Sequence, residues 1–537
     1  MKKISIWLVA SSLVLTQCTK KFENINTDPN QQSPETFNAD YFLASSQNEY
    51  KGAITGYEGS FLFQAGWAQI LSAAAGGYLG NLDKYIESAN TFDYSGRAWN
   101  DCYRAAGYAD AIIRQHKDDA DWVNIVGAAT VMKVLSLQYI TDIYGDIPYT
   151  EALQGFDGKS LGVIFPKYDK QQDVYTGLLG ELDAALTKMD PSKTKSSADL
   201  IYGGDVAKWK KFGYSLMLRM GMRLTKVDAN TAKTWVEKAF AGGVFADNSD
   251  NAFIVAQNNT GHGSENPRVM TLTGDVVYIR WAKPFIDYLK TTNDPRLSVI
   301  SEVVDIAAAN DISVNPTTSD VTPANQNGLP NGYITDPGTY YVGNAPGYPG
   351  AVAGGTSAAH ILGKYSRPRR ALYYNLDGPV FILSYAEVQF MLAEAKFRGW
   401  NVGATSAQTY YQQGIAAALG TYATFNGAAG AIPAGTITTF ANAQTLTAGQ
   451  ELRLINTQYW LATGSQLNFT EAWNNWRRSG FPALTPVTYT GQFATVIPRR
   501  QVYPTTEGTA NTSNYQAAVA GLAGGDKWSS TVWWDKP

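Results

Sequence analysis

Histidine and cysteine are scarce in this chain: among 537 residues there are three histidines, His116, His262 and His360, and two cysteines, Cys18 and Cys102. No Cys or His cluster stands at metal-ligand spacing, which argues against a transition-metal site. A basic excess is also missing, with 43 Lys plus Arg against 46 Asp plus Glu. Without a run of Lys and Arg, the counterion release that drives nucleic-acid binding has no source, so nucleic acid is not an expected partner. Beyond the amino terminus no stretch has the roughly 20 apolar residues that a membrane-spanning helix needs. Charged residues make up 17% and hydrophobic ones 45%, a balance that folds and buries a core instead of staying disordered. The length fits one large body or several smaller domains. What the chain does have is aromatic surface: 32 Tyr and 14 Trp. Both residues join a flat apolar face to a polar tip, which suits half-exposed recognition sites as well as cores.

The amino terminus carries an address. Met1-Lys2-Lys3 is positive, and Ile4 to Leu15 is apolar apart from Ser5, Ser11 and Ser12. Residues 1–17 read as a signal peptide, too short to cross a bilayer as a mature helix. Leu15-Thr16-Gln17-Cys18 resembles a bacterial lipobox, although Gln17 stands where that motif usually has a small residue. Cys18 then becomes the lipidated, palmitate-bearing first residue, and residues 18–36 form a tether. The alternative is an ordinary secretory signal with an incidental cysteine. With Cys18 acylated, Cys102 has no disulfide partner and is expected to be a small buried hydrophobe.

Residues 37–537 read as a single body, mainly α-helical. Ile125, Ala129, Met132 and Tyr139 share one helical face, as do Val174, Leu178, Leu182, Ala185 and Met189. Val206, Trp209, Gly213, Leu216 and Met220 form another, with Asp205 as the expected N-cap. Leu383, Ala386, Phe390, Ala393 and Phe397 form a fourth. Small residues on these faces permit close helix pairing of the kind that helix-turn-helix repeats use. Between the helices lie long stretches rich in Gly, Pro, Asn and Thr, chiefly 246–365 and 420–450, and loops of that length usually carry function. Tyr333, Tyr340, Tyr341 and Tyr348 fall in one of them.

Several segments, in order, resemble the SusD/RagB family of outer-membrane lipoproteins, in particular its SusD-like branch. They begin with Phe22-Glu23-Asn24-Ile25-Asn26-Thr27-Asp28-Pro29-Asn30 and Asp142-Ile143-Tyr144-Gly145-Asp146-Ile147-Pro148-Tyr149. Gly204 to Phe212, Leu218 to Leu224, Asn293-Asp294-Pro295-Arg296-Leu297 and Ser384-Tyr385-Ala386-Glu387 follow. Trp476-Arg477-Arg478-Ser479-Gly480, Ile497-Pro498-Arg499-Arg500, Tyr503-Pro504 and Trp533-Trp534-Asp535 close the series. The resemblance implies a TPR-like paired-helix scaffold with an irregular ligand-binding half, anchored at the cell surface of the outer membrane. It also implies a partner, a SusC-like TonB-dependent transporter, and an oligosaccharide ligand, with a peptide as the alternative. Trp209, Phe212 and Trp476 read as core, and Arg477 and Arg478 as members of structural ion pairs.

Sugars present an apolar C–H face and a rim of hydroxyls, so a binder needs flat rings flanked by polar side chains. In relatives such a platform is implied in an early loop, which here is Gly76 to Tyr85, and in the later irregular segments. Tyr78, Asn81, Asp83 and Tyr85 are the candidates from the first, and Tyr341 and Tyr348 from the second. Calcium held by loop Asp and Asn oxygens stays open; no other cofactor is implied. Two motifs raise the question of hydrolysis. Gly158-Lys159-Ser160-Leu161-Gly162 spells a nucleophile elbow, but Pro166 follows where a helix is required. Glu387 and Glu394, seven apart, share one helical face at a spacing that a glycosidase pair could use, yet such a pair normally flanks a cleft from separate elements. The chain is therefore read as a binder, not an enzyme.

Overall fold

In the computed structural model the described residues are 38–155, 162–258, 275, 277–304, 319–353 and 355–536. The signal peptide, Cys18 and most of the elbow motif lie outside them. Asn38 opens the first described helix, α1 (Ala39–Thr55), by accepting from the backbone N–H groups of Asp40 and Tyr41, a normal way to satisfy orphan donors. Helices α2 (Arg97–His116), α3 (Val123–Tyr144) and α4 (Gln171–Lys188) follow, each packed on the one before. By length and composition α3 could cross a membrane, but it is buried among α1, α2 and α4 as the central core helix. Cys102 is buried on α2 and free.

Asp205 caps α5 (Val206–Arg223) by accepting from the Lys208 N–H, as its position in the sequence predicts. Helix α6 (Ala229–Gly242) packs back on α5. Gly213 on α5 receives the side chain of Leu186 from α4; a Cβ there would overlap it. Later pairs are α8 (Tyr385–Phe397) with α9 (Ala407–Gly420), and α11 (Glu451–Ser465) with α12 (Phe469–Ser479). Between the early and late pairs a shorter α7 (Lys283–Thr291) carries a proline in its first turn, where the missing N–H costs nothing.

Two expectations need correction here. Leu383 ends a strand, β7 (Pro379–Leu383), and Ser384 starts the helix through a capping box with Glu387. Phe397 is exposed at the far end of α8, so the apolar face is shorter than its spacing suggests. Within 420–450, read as irregular, the chain forms α10 (Ala434–Ala443), which packs on α9. Its Gly and Thr content gives little intrinsic helix preference, and contact with a neighbour overrides that preference.

Strands are short and serve the loops. β1 (Leu71–Ala73) pairs antiparallel with β3 (Ile279–Trp281), and β2 (Ala252–Val255) pairs antiparallel with β7. A three-stranded sheet runs β5 (Ser319–Asp320), β4 (Ser301–Val304), β6 (Arg367–Pro368). The main core follows the helices. A second, smaller core of Ala74, Leu329, Val342, Ala345, Leu362 and Tyr365 lies under the loop-rich half. The carboxyl-terminal segment returns to α3, where Arg500 donates to the Tyr144 carbonyl and the Gln501 N–H to that of Ile143.

Candidate functional site

The early loop and the later irregular segment meet, as the implied platform requires. Ala74 donates to the Tyr278 carbonyl and accepts from the Thr335 N–H. Asp83 joins the two more firmly. Its Oδ2 accepts from Ser72 Oγ at 2.7 Å and from the Gly332 N–H at 3.3 Å, while Oδ1 pairs with Lys84 Nζ at 2.7 Å. All of this is buried, so the Asp83 carboxylate has no free edge for a ligand.

The same correction applies to Asn81 and Tyr85, both fully buried. Asn81 Oδ1 accepts from Thr91 Oγ1 at 2.7 Å, and its carbonyl from Trp67 Nε1 at 3.1 Å. Tyr85 sits at φ +57° and accepts through its carbonyl from the Phe493 N–H. These three residues shape the loop from inside. Tyr341 and Tyr348 are half-buried and packed on the small core, and the Tyr348 hydroxyl donates to the Ile361 carbonyl at 2.9 Å. Of the predicted set only Tyr78 shows a large exposed ring, at 39%.

A cleft of about 600 Å³ opens beside this junction. Its walls are the segments 330–340 and 485–488, and Gln69, Lys283, Asp287 and Asn331 line it. At its edge Tyr340 stacks on Tyr489, centroids 4.0 Å apart and planes at 24°, and the Tyr340 hydroxyl bonds Thr490 Oγ1 at 2.9 Å. Gly332 is required where the walls meet: its φ is +90°, and a Cβ would lie 2.5 Å from Val487 Cγ1. Gln69 fixes the second wall by donating to the Thr485 carbonyl, and Asn331 the first by donating to the Leu71 carbonyl. Lys283 and Asp287 pair at the exposed rim. Prolines 284, 330 and 486 stiffen the lining.

Tyr340 lies among the loop tyrosines of the sequence but outside the candidate set, and Tyr489 lies outside both. The signal was present in Thr485-Pro486-Val487-Thr488-Tyr489-Thr490, a proline-stiffened segment with one ring among hydroxyls. What could not be read was its partner, nearly 150 positions earlier.

The chemistry on offer is contact and hydrogen bonding. Glu387 and Glu394 are buried, Glu387 in its capping box and Glu394 between Arg478 and Arg398. Arg478 forms its expected ion pair. Arg477 instead donates to the carbonyls of Arg499 and Asp142 and lies over the Trp473 ring. Among the described residues no three His, Cys, Asp or Glu side chains converge as a metal site.

Comparison with known proteins bears on this arrangement. The model of a SusD-like family, described as starch-binding and associating with the outer membrane, matches residues 42–504. No curated protein matches the chain. Among solved structures, a chitin-binding protein is 29% identical, with a TM-score of 0.77 over 93% of this chain and 100% of its own. A Bacteroidetes SusD-like protein is 25% identical, with a TM-score of 0.77 over 93% of this chain and 100% of its own. A chitin-binding SusD homologue from Flavobacterium johnsoniae has the same fold at 22% identity, with a TM-score of 0.70 over 92% of this chain and 98% of its own.

Proposed function

The chain belongs to the SusD-like family, and on that premise we propose that it captures a neutral oligosaccharide at the outer-membrane surface and passes it to a SusC-like TonB-dependent transporter. The observation that carries the ligand class is the Tyr340–Tyr489 stack at the edge of a proline-walled cleft whose polar groups are amides, hydroxyls and one ion pair. Ring faces match the C–H surface of a pyranose, and the amide and hydroxyl groups match its rim. Lys283 and Asp287 cancel one another's charge, so the cleft offers no net attraction to an anion. The relative named as chitin-binding makes β-linked N-acetylglucosamine oligomers the first ligand to test, and the family description makes starch fragments the second. The family is described by what it binds, and the burial of Glu387 and Glu394 removes the one acid pair that suggested cleavage.

Calorimetric titration with chitin and starch oligomers, followed by product analysis, tests the reading. Replacing Tyr340 and Tyr489 together by Ala should weaken binding roughly 10- to 100-fold, the loss of about 1.4–2.8 kcal/mol expected for two recognition rings. Unchanged affinity would remove the cleft from the proposal, and new reducing ends would replace binding by hydrolysis.

Membrane attachment rests on Cys18, with the lipobox-like Leu15-Thr16-Gln17-Cys18 as its support. Cys18→Ala should shift the protein from the membrane pellet to the soluble fraction of lysed cells. A variant that stays in the pellet would count against the lipid anchor.

A further inference from the structure

Outside the cleft, one carboxylate has an unusual set of partners. Asp275, only 9% exposed, accepts at Oδ1 from the Tyr78 hydroxyl at 2.8 Å and at Oδ2 from the Tyr57 hydroxyl at 2.9 Å. Among the described residues it has no Lys or Arg partner. Burying a carboxylate beside neutral donors is a costly way to hold two rings together, because an apolar side chain would pack there without the desolvation penalty. What the carboxylate adds is direction: each oxygen fixes one phenol, and the two rings meet at 62° with centroids 5.8 Å apart.

The backbone presents both rings from irregular turns. Tyr57 begins a π-helical turn, Tyr57–Phe61, in which the Leu62 N–H reaches back five residues to the Tyr57 carbonyl. Such turns are rare and concentrate at functional sites. Gly59 permits this one, since a Cβ there would lie 2.8 Å from the Ala53 carbonyl oxygen. Gly77 at φ +61° turns the chain into Tyr78, and its own Cβ direction is open. With its hydroxyl committed to Asp275, the exposed part of Tyr78 is chiefly ring.

We propose that Asp275 is a positioning residue which sets Tyr57 and Tyr78 as a second sugar platform, distinct from the Tyr340–Tyr489 cleft and selective for neutral glycans. The proposal rests on the oligosaccharide reading above. A pyranose lies flat on Tyr78 and meets Tyr57 at its edge. Because both phenol hydrogens point at Asp275, the phenol oxygens accept from sugar hydroxyls and do not donate. The adjacent carboxylate repels uronic acids. Burial and the carboxylate hold both phenols above the ordinary tyrosine range, so this donor pattern persists through neutral pH.

The test compares wild type, Asp275→Ala and Asp275→Asn by calorimetry with a neutral chitin hexamer and an oligogalacturonate, with melting temperature as the check on folding. The amide of Asn accepts from one phenol and donates to the other, so it keeps the ring geometry without the charge. Asp275→Ala should lose about tenfold in affinity for the neutral hexamer. Asp275→Asn should bind it like wild type and gain affinity for the anionic oligomer. Wild-type binding of the hexamer with Asp275→Ala unchanged overturns the positioning role. An Asn variant as weak as Ala, or one that gains nothing toward the anion, overturns the geometry and charge arguments in turn. A wild type that binds no neutral oligomer overturns the function proposed above. If Asp275→Ala fails to fold, Tyr57→Phe with Tyr78→Phe removes the same two hydrogen bonds and keeps the rings; it should show the same loss, and wild-type affinity in that variant overturns the proposal.

Discussion

Trp534→Ala should lower the free energy of unfolding by about 3–5 kcal/mol, the range for deleting a large core aromatic. Trp534 is fully buried three residues from the carboxyl end, and its Nε1 donates to Asp142 Oδ1 at 2.8 Å. Two guanidinium groups face its ring, that of Arg477 at 4.5 Å and that of Arg223 at 5.3 Å. Arg223 in turn pairs with Asp142 at 3.2 Å and Glu471 at 2.7 Å. The indole thus closes a buried charge cluster that joins α3, α5 and α12. Its removal leaves a cavity beside ions and takes one donor from Asp142, and both effects destabilise. Trp533 is the control. It is only partly buried, with Tyr175 as its ring neighbour at 6.3 Å, so Trp533→Ala should cost about 1 kcal/mol, the common size for a point change. Urea titration of both variants decides the matter: equal midpoints would mean that the chain end does not seal the core.

That cluster also shows which parts of the sequence could be read. The segments Trp476-Arg477-Arg478 and Trp533-Trp534-Asp535 are recognisable as family segments, and the structure brings Arg477 and Trp534 from them together at one buried junction. Helix faces were legible because a 3.6-residue period needs only local information. Asp205 was legible as a cap for the same reason: its partner lies three residues on. Leu383 was misplaced because the last strand residue fell in phase with the helix that follows it.

The site was legible only in outline. Two loops were expected to converge and do so, through Asp83 and Gly332. Polar loop residues were expected to face outward, but a loop that folds over itself must satisfy its own backbone, and Asn81 and Asp83 serve that need. Which tyrosine faces solvent depends on partners far away in the chain. Tyr78 is held by a residue 197 positions later, and Tyr340 bonds a residue 150 positions later. No local pattern carries that information.

Raising the pH from about 4.5 to about 7 should reduce stability by about 3 kcal/mol through one residue, Glu387. Burial pushes its carboxyl up to about 7, against the pull of Arg219. The hydrogen bonds support a proton there. Glu387 Oε1 accepts from the Ser384 N–H and lies 2.9 Å from its Oγ, while Tyr459 lies 3.1 Å from Oε2 and also 2.9 Å from Glu471 Oε1. One phenol hydrogen cannot serve two carboxylates. Burial would raise Glu471 as well, but Arg223 and Arg219 outweigh it and hold that carboxyl below its usual range. Glu471 therefore takes the phenol hydrogen, and a protonated Glu387 donates to the phenol oxygen. The folded state then holds a proton that the unfolded chain releases above about 4.5, so this contribution is whole below that pH and lost as pH rises through about 7. Glu394 acts in the opposite direction. Burial would raise it, but Arg478 and Arg398 bring it down to about 2, so its contribution is present above about 4.5 and lost as pH falls toward about 2. Glu387→Gln isolates the first term, because its amide accepts from Ser384 and donates to Tyr459 as the protonated acid does. Urea midpoints measured from about pH 4.5 to about pH 8 should fall further for wild type than for the variant, which ends about 3 kcal/mol more stable at the alkaline end. Parallel curves would show that Glu387 ionises in the folded core as readily as in the open chain.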